Sequence, residues 1–346
     1  MSNLSKTLFV FPVDPENLRS AWLTIAAYRI ILKSRNDLSL LVETEKRRDE
    51  ISQDLLDELC RNWGAVFIAD RNFKSCVSAE LVIQRLPVLF DPDGWNYNDP
   101  MNAALAIAKI AGCAFAMRLD VDTLPDLDFE TLVEEQTNML ARKERAVVGT
   151  TYKERYGLRS ELVPPDIRPD YFELVRSYTG IDPYHQLTAG AAMTQASPGY
   201  PGVCFKNQKV FGIDDADFST RLGRRAGLST PGRIYRSAPG RSLEAREYAA
   251  RLARMVVVRA LRNQANFTDA LCEAHEFLEK LEDYFVLKGR SNFGGAVALR
   301  DIEEISEGLA NFEELSSKWH RLVDVVCDLN SGLPSDCSCH LTAERR

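Results

Sequence analysis

Three short apolar runs, each closed by a proline or an acid and separated by helical patterns, constrain this chain most. Thr7-Leu-Phe-Val-Phe11 stops at Pro12, Leu38-Ser-Leu-Leu-Val42 stops at Glu43, and Ala65-Val-Phe-Ile-Ala69 stops at Asp70. Between the first two runs, Leu18, Trp22, Ile25, Ala26, Tyr28 and Leu32 recur at helical spacing, and a charged helical segment fills the second gap to about Asn62. Strands alternating with helices imply parallel pairing through helical crossovers, because a parallel neighbour cannot be reached by a tight turn. Sheets of this kind bind ligands beyond the carboxyl ends of their strands. A fourth run, Cys113-Ala-Phe-Ala-Met-Arg-Leu-Asp-Val-Asp-Thr-Leu-Pro125, delivers Asp120 and Asp122 to the same kind of edge. The expected class is therefore α/β, a mostly parallel sheet flanked by helices.

Spacing gives the fourth run its chemistry. Residues two apart on an extended segment share a face, so Arg118, Asp120 and Asp122 line up together. Two carboxylates that close repel unless a cation lies between them, and hard oxygen donors favour Mg2+ or Mn2+. Against this stands a plain strand end with two solvated acids, and Glu43 has the same alternative. Arg118 is placed to ion-pair with the acids, to bind phosphate or to restrain a loop. A helix begins near Asn102, which serves equally well as an N-cap, and stops at Gly112. Further helices are expected at 126–141 and around Tyr171–Tyr178, with strands at 145–151 and within 228–241, while Leu187–Met193 is a small, apolar stretch. Arg233, Arg236 and Arg241 follow as a diphosphate clamp or a basic surface.

A second acidic group, Asp214-Asp215-Ala-Asp217, precedes a helix expected over Ser219–Ala226. Capping and the helix dipole account for one or two of these acids, and Asp217 can pair with Arg221 at i, i+4; a remaining carboxylate can act as general base. From about Ser242 to Leu329 apolar residues recur at helical spacing, giving a helical appendage that packs on the first domain or on a second subunit.

Composition excludes some classes. A formal net charge of -7 argues against a general nucleic-acid binder. No apolar stretch has membrane-spanning length and the start has no signal-peptide core, so a cytoplasmic location is expected. The 8 cysteines form no disulfide framework: Cys60, Cys76, Cys113, Cys204, Cys272 and Cys327 read as buried thiols, and Cys337, Cys339 and His340 as a reduced, mobile tail.

The ordered set Glu43, Asn102-Ala-Ala-Leu-Ala, Arg-Leu-Asp120-Val-Asp122-Thr-Leu-Pro, Thr188-Ala-Gly-Ala-Ala and Phe211-Gly-Ile-Asp214-Asp215-Ala-Asp217-Phe-Ser-Thr-Arg-Leu-Gly-Arg-Arg-Ala-Gly227 resembles nucleotide-sugar-dependent glycosyltransferases of the GT-A fold, nearest the inverting family 2. The resemblance spans roughly residues 7–240. It implies a GT-A catalytic domain over 1–241, with a donor half (1–125) and an acceptor half (126–241), then the helical appendage at 242–330 and the tail at 331–346. It implies hexosyl transfer from a nucleoside-diphosphate sugar, a UDP-sugar before others, to an acceptor hydroxyl, with Mn2+ or Mg2+ as cofactor. It implies Asp122 and Asp120 at the metal, Pro12, Glu43, Asn102, Arg118 and Asp120 at the donor, and Asp215 as base. Thr188, Gly190 and Asp214 would line the acceptor side. Asp214 stands where the family often has Glu, and Tyr235-Arg236 where it often has His. Partners expected besides the two substrates are no nucleic acid and, through the appendage, a second copy in a homodimer. The rivals are a retaining transferase, a sugar nucleotidylyltransferase and a non-catalytic sugar-nucleotide binder. Phe11-Pro-Val-Asp-Pro-Glu lacks the Gly-rich basic loop that a nucleotidylyltransferase carries after its first strand.

Overall fold

The computed structural model describes residues 7–12, 18–35, 38–63, 65–90, 99–121, 123–142, 145–150, 163–181, 191–195, 220–222, 226–228, 234–236, 245–284, 293, 295–332 and 342–344. Strands β1 (Thr7–Pro12), β2 (Leu38–Glu43), β3 (Ala65–Ala69) and β4 (Phe115–Leu119) form a parallel block in the order β3-β2-β1-β4. The helices between them are α1 (Leu18–Ile31), α2 (Gln53–Asn62), α3 (Arg71–Ile83) and α4 (Asp99–Ile110). The mostly parallel sheet with flanking helices is the expected α/β class.

Alternation along the strands sorts the core into two faces. Phe9, Phe11, Leu40, Val42 and Met117 point to one side, and the core there includes residues of α1, α2 and of α5 (Phe129–Ala141). Leu8, Val10, Leu41 and Ala116 point to the other, against α3 and α4. Position 43 shares the parity of Leu41, and position 118 that of Ala116. Both therefore face α3 and α4.

Beyond β4 the sheet changes direction. β7 (Ala191–Gln195) pairs antiparallel with β4 and with β6 (Val147–Gly149), and β8 (Ala226–Leu228) pairs parallel with β6. A separate ribbon joins β5 (Thr123–Pro125) to β9 (Ile234–Arg236). The helix expected to run to Ala226 ends sooner: residues 220–222 are helical, and Ala226 already belongs to β8. The stop expected after α4 is present. Gly112 has φ +64, which a residue without a Cβ adopts freely, and the Cys113 N–H donates to Ala108 O at 2.9 Å across the turn.

The C-terminal region is helical as expected, with α7 (Ala245–Arg262), α8 (Phe267–Glu282), α9 (Leu299–Ser317) and α10 (Trp319–Gly332). Its helices pack on the rest of the described chain. Val256 and Phe277 share a core with Tyr171 and Val175 of α6 (Arg168–Thr179), and Trp319 and Val323 join the core under α3 and α4. Two expectations about cysteine and the tail need correction. Residues Thr342–Glu344, in the tail expected to be mobile, form β10, an antiparallel edge strand on β3. Cys76 is disulfide-bonded, and of the other described cysteines Cys113 is buried as expected, whereas Cys60 and Cys327 are half-buried and Cys272 is exposed; Cys204, Cys337, Cys339 and His340 lie outside the described residues. Among the described residues no helix is long and apolar enough to cross a membrane.

Candidate functional site

The carboxyl edge of the parallel block gathers the candidate donor residues. Register places Pro12 beside Glu43, and Glu43 beside Ala69, in one row. Glu43 is not a solvated strand end: it is 1% exposed. The ammonium of Lys74, on the second turn of α3, lies 3.5 Å from its Oε1 and also pairs with Glu45. The other oxygen, Oε2, is buried with no hydrogen-bond partner among the described residues. Burial pushes the Glu43 carboxyl up to about 7, with Glu45 adding to the rise and Lys74 and Arg118 opposing it.

The loop after Glu43 is tied to the start of α3. The Asp70 carboxylate accepts from the backbone N–H groups of Phe73 at 2.8 Å and of Arg48 at 2.9 Å. It caps the helix and anchors the loop together, and burial raises its pKa against these bonds. The Thr44 N–H donates to Ala69 O, and the Arg71 N–H to Lys46 O. Glu43 and Lys74 thus sit on two segments stitched to each other.

On β4, Arg118 is 1% exposed within the sheet, and its Nη2 lies 3.4 Å from Asp120 Oδ1. The ion pair foreseen from their common face is present, and Asp120, itself only 9% exposed, is not a solvated acid. The chain after Asp120 makes a tight turn. The Thr123 N–H and Oγ1 both reach Asp120 O, at 3.1 and 2.6 Å. Helix α1 clamps it: Thr24 Oγ1 donates to Val121 O at 2.7 Å, and the Tyr28 hydroxyl meets Thr123 Oγ1 at 2.8 Å. Residue 122 is spanned by this turn in sequence and lies outside the described residues. The β5–β9 register brings position 236 opposite Thr123, so one of the three arginines after the second acidic motif belongs to a strand beside the turn.

Asn102 is not a helix N-cap. It lies within the first turns of α4 and is 4% exposed, on a helix packed against β1 and β4. Glu43, Arg118 and Asp120 share that sheet face, and Pro12 shares their edge. Asp122, Thr188, Gly190, Asp214 and Asp215 lie outside the described residues, as do Arg233 and Arg241. Ala191, next after Gly190, is registered with Leu119. Arg221, expected to pair with Asp217, has its guanidinium 4.4 Å from the centre of the Phe312 ring on α9.

Lys74 was missed in the sequence. A lysine in a helix reads as solvated, and its partner lies a strand away. The signal was its position one turn beyond a capping acid at a strand end, on the face that Phe73 and Val77 bury.

Among the described residues no group of three or more His, Cys, Asp or Glu side chains is placed to hold a metal ion. Asp120 already has a guanidinium at Oδ1, which weakens it as a direct ligand for a divalent ion.

No protein-family profile matches the chain, and no curated protein matches it. It is similar in structure to a mannosyltransferase from Pyrobaculum calidifontis in complex with GDP-Man and Mn2+, at 12% identity and TM-score 0.43, over 95% of this chain and 87% of that one. It is similar to glucosyl-3-phosphoglycerate synthase from Mycobacterium tuberculosis in complex with Mn2+, UDP-Glc and phosphoglyceric acid, at 16% identity and TM-score 0.45, over 76% and 81% of the two chains. S. aureus TarS aligns at 13% identity and TM-score 0.44, over 93% of this chain and 88% of that one. At such scores the likeness assigns no residue, ligand or reaction to this chain.

Proposed function

We infer that this protein is a metal-dependent glycosyltransferase that moves a sugar from a nucleoside-diphosphate donor, a UDP-sugar before others, to an acceptor hydroxyl with inversion. The observation that carries this reading is the convergence of Glu43, Asn102, Arg118 and Asp120 on one face at the carboxyl edge of the parallel strands, beside a turn clamped by Thr24 and Tyr28. Buried polar groups are costly unless they are hydrogen-bonded or paired, and the carboxyl edge of the strands is where sheets of this kind bind ligands.

In this reading Glu43 accepts a hydrogen bond from the donor nucleoside, next to Pro12, and Asn102 and Arg118 border the donor. Asp122 would hold Mn2+ or Mg2+, and Asp120, steadied by Arg118, would orient ribose or metal. A cation held there would supply positive charge that offsets the charge of the departing diphosphate. Asp215 takes the proton of the acceptor hydroxyl as its oxygen bonds to the anomeric carbon and the bond to diphosphate breaks. Asp214, Thr188 and Gly190 border the acceptor.

The test is a thermal-shift screen of UDP, GDP, dTDP and their sugars, each with and without Mn2+. A base-selective shift that needs the metal is expected, because binding to the native state alone stabilises it; no shift with any ligand sinks the reading. Replacing Asp122→Ala should remove the metal dependence. Replacing Asp215→Asn should cut transfer by about 10²–10⁴-fold with the donor shift retained, the usual worth of a general base. An inverted anomer in the product, read by NMR, is the expected stereochemical outcome.

A further inference from the structure

We propose that Lys74 is the positioning residue for donor-nucleoside recognition: from α3 it holds Glu43 by Oε1 and leaves Oε2 as a single acceptor for an O–H or N–H of the nucleoside. This rests on Glu43 belonging to the donor site.

Three observations carry it. Lys74 and Glu43 are both buried, at 7% and 1% exposure, so their attraction at 3.5 Å is little screened by water. The lysine is itself held, between Glu43, Glu45 and the Phe90 ring, whose centre is 5.8 Å from Nζ. Oε2 is an acceptor shielded from water with nothing in the described chain to satisfy it, a state that a bound donor group relieves.

The charge balance around Glu43 defines what Lys74 does. Facing it are Lys74 from α3, Arg118 from β4 and Glu45 from its own segment; β1 and β3 contribute the uncharged Pro12 and Ala69 to its row. Arg118 is shared with Asp120, whereas Lys74 is the charge that most favours the ionised carboxylate. An ionised carboxyl accepts only; a protonated one presents a donor of its own. Without Lys74, desolvation shifts Glu43 further toward the protonated form at neutral pH, so a charged, acceptor-only Oε2 is no longer held for the nucleoside.

The experiment uses the full chain, wild type and the variants Lys74→Met, Lys74→Arg, Glu43→Gln and Lys74→Met/Glu43→Gln. Two quantities are followed from pH 5.5 to 9: the melting temperature without ligand, and the affinity for UDP and for GDP with Mn2+. Lys74→Met should move the break in the ligand-free stability profile upward by about one pH unit and weaken nucleotide binding roughly tenfold near neutrality, with recovery toward pH 9. Lys74→Arg should restore most of both. In the Glu43→Gln background, Lys74→Met should change neither pH profile. Dideoxy-ribose forms of both nucleotides separate the two sources of the donor group: the effect disappears with them if ribose supplies it and persists if the base does. Superimposable pH profiles for folded Lys74→Met and wild type overturn the proposal while wild-type nucleotide binding leaves the glycosyltransferase reading standing. No nucleotide binding by the wild type, with the ligand-free break still displaced, instead overturns that reading and the donor role that rests on it.

Discussion

Glu43 is the residue where stability and the proposed donor role conflict. Its carboxyl lies near 4.5 in an unfolded chain and is raised to about 7 by burial. The folded state therefore prefers the proton: the contribution of this group is fully present below pH 4.5, and it is lost as pH rises through 7. The difference corresponds to roughly 3 kcal/mol. Glu43→Gln removes the titration. It should flatten the stability profile between about pH 5 and 8 and raise the urea midpoint at pH 8, by less than the full difference because Lys74 then loses a partner. A profile for the variant as steep as the wild type's would refute this. Arg118 behaves oppositely. It is buried in the sheet against Asp120, and Arg118→Met removes the guanidinium paired with that carboxylate, at an expected cost of about 3–5 kcal/mol by urea denaturation. Sequence showed Glu43, Arg118 and Asp120 because an acid or a lone arginine interrupts an apolar run. It did not show Lys74, whose burial depends on how α3 lies across the strand ends.

At the scale of elements, β1 to β4 were legible because strands covered on both faces are written as continuous apolar runs. Their crossover helices were legible from periodicity. Of the short strands, β6 lies inside the run expected at 145–151 and β9 within 228–241, while Ala226 of β8 was misread as helix, since three residues carry little pattern. β10 was illegible altogether: Thr-Ala-Glu has no apolar alternation, and only the free edge of β3 gives it a place. Removing residues 342–346 should reopen that edge, lower the melting temperature by a few degrees and promote self-association visible in light scattering. Helix α3 makes a sharper prediction. Its cap, Asp70, also holds the Arg48 N–H of the preceding loop. Asp70→Ala should cost about 2 kcal/mol, the upper end for a cap, and Asp70→Asn less, since an amide oxygen still accepts. The alanine variant should weaken nucleotide binding as well, because Lys74 sits one turn along the same helix.

At the scale of the molecule, the C-terminal helices and the sheet are joined through shared cores. Change of composition near residue 242 marks where helices take over, not where apolar packing stops. Val256 and Phe277 are buried with Tyr171 and Val175, and Arg221, just past the second acidic motif, is laid on Phe312 of α9. The strongest tie is Trp319. It is fully buried at the start of α10, in the cluster that contains Leu81 of α3 and Ala104 of α4. These are the two helices that cover the Glu43–Arg118 face of the sheet, so loosening α10 should be felt at the donor edge. Trp319→Ala removes a large side chain from a close-packed core, and the expected cost is about 3–5 kcal/mol. Were the helical region an independent unit, the variant would melt in two steps in calorimetry, helices first, with the sheet and its nucleotide binding intact. A shared core predicts one transition, displaced as a whole to lower temperature, and binding lost in step with it.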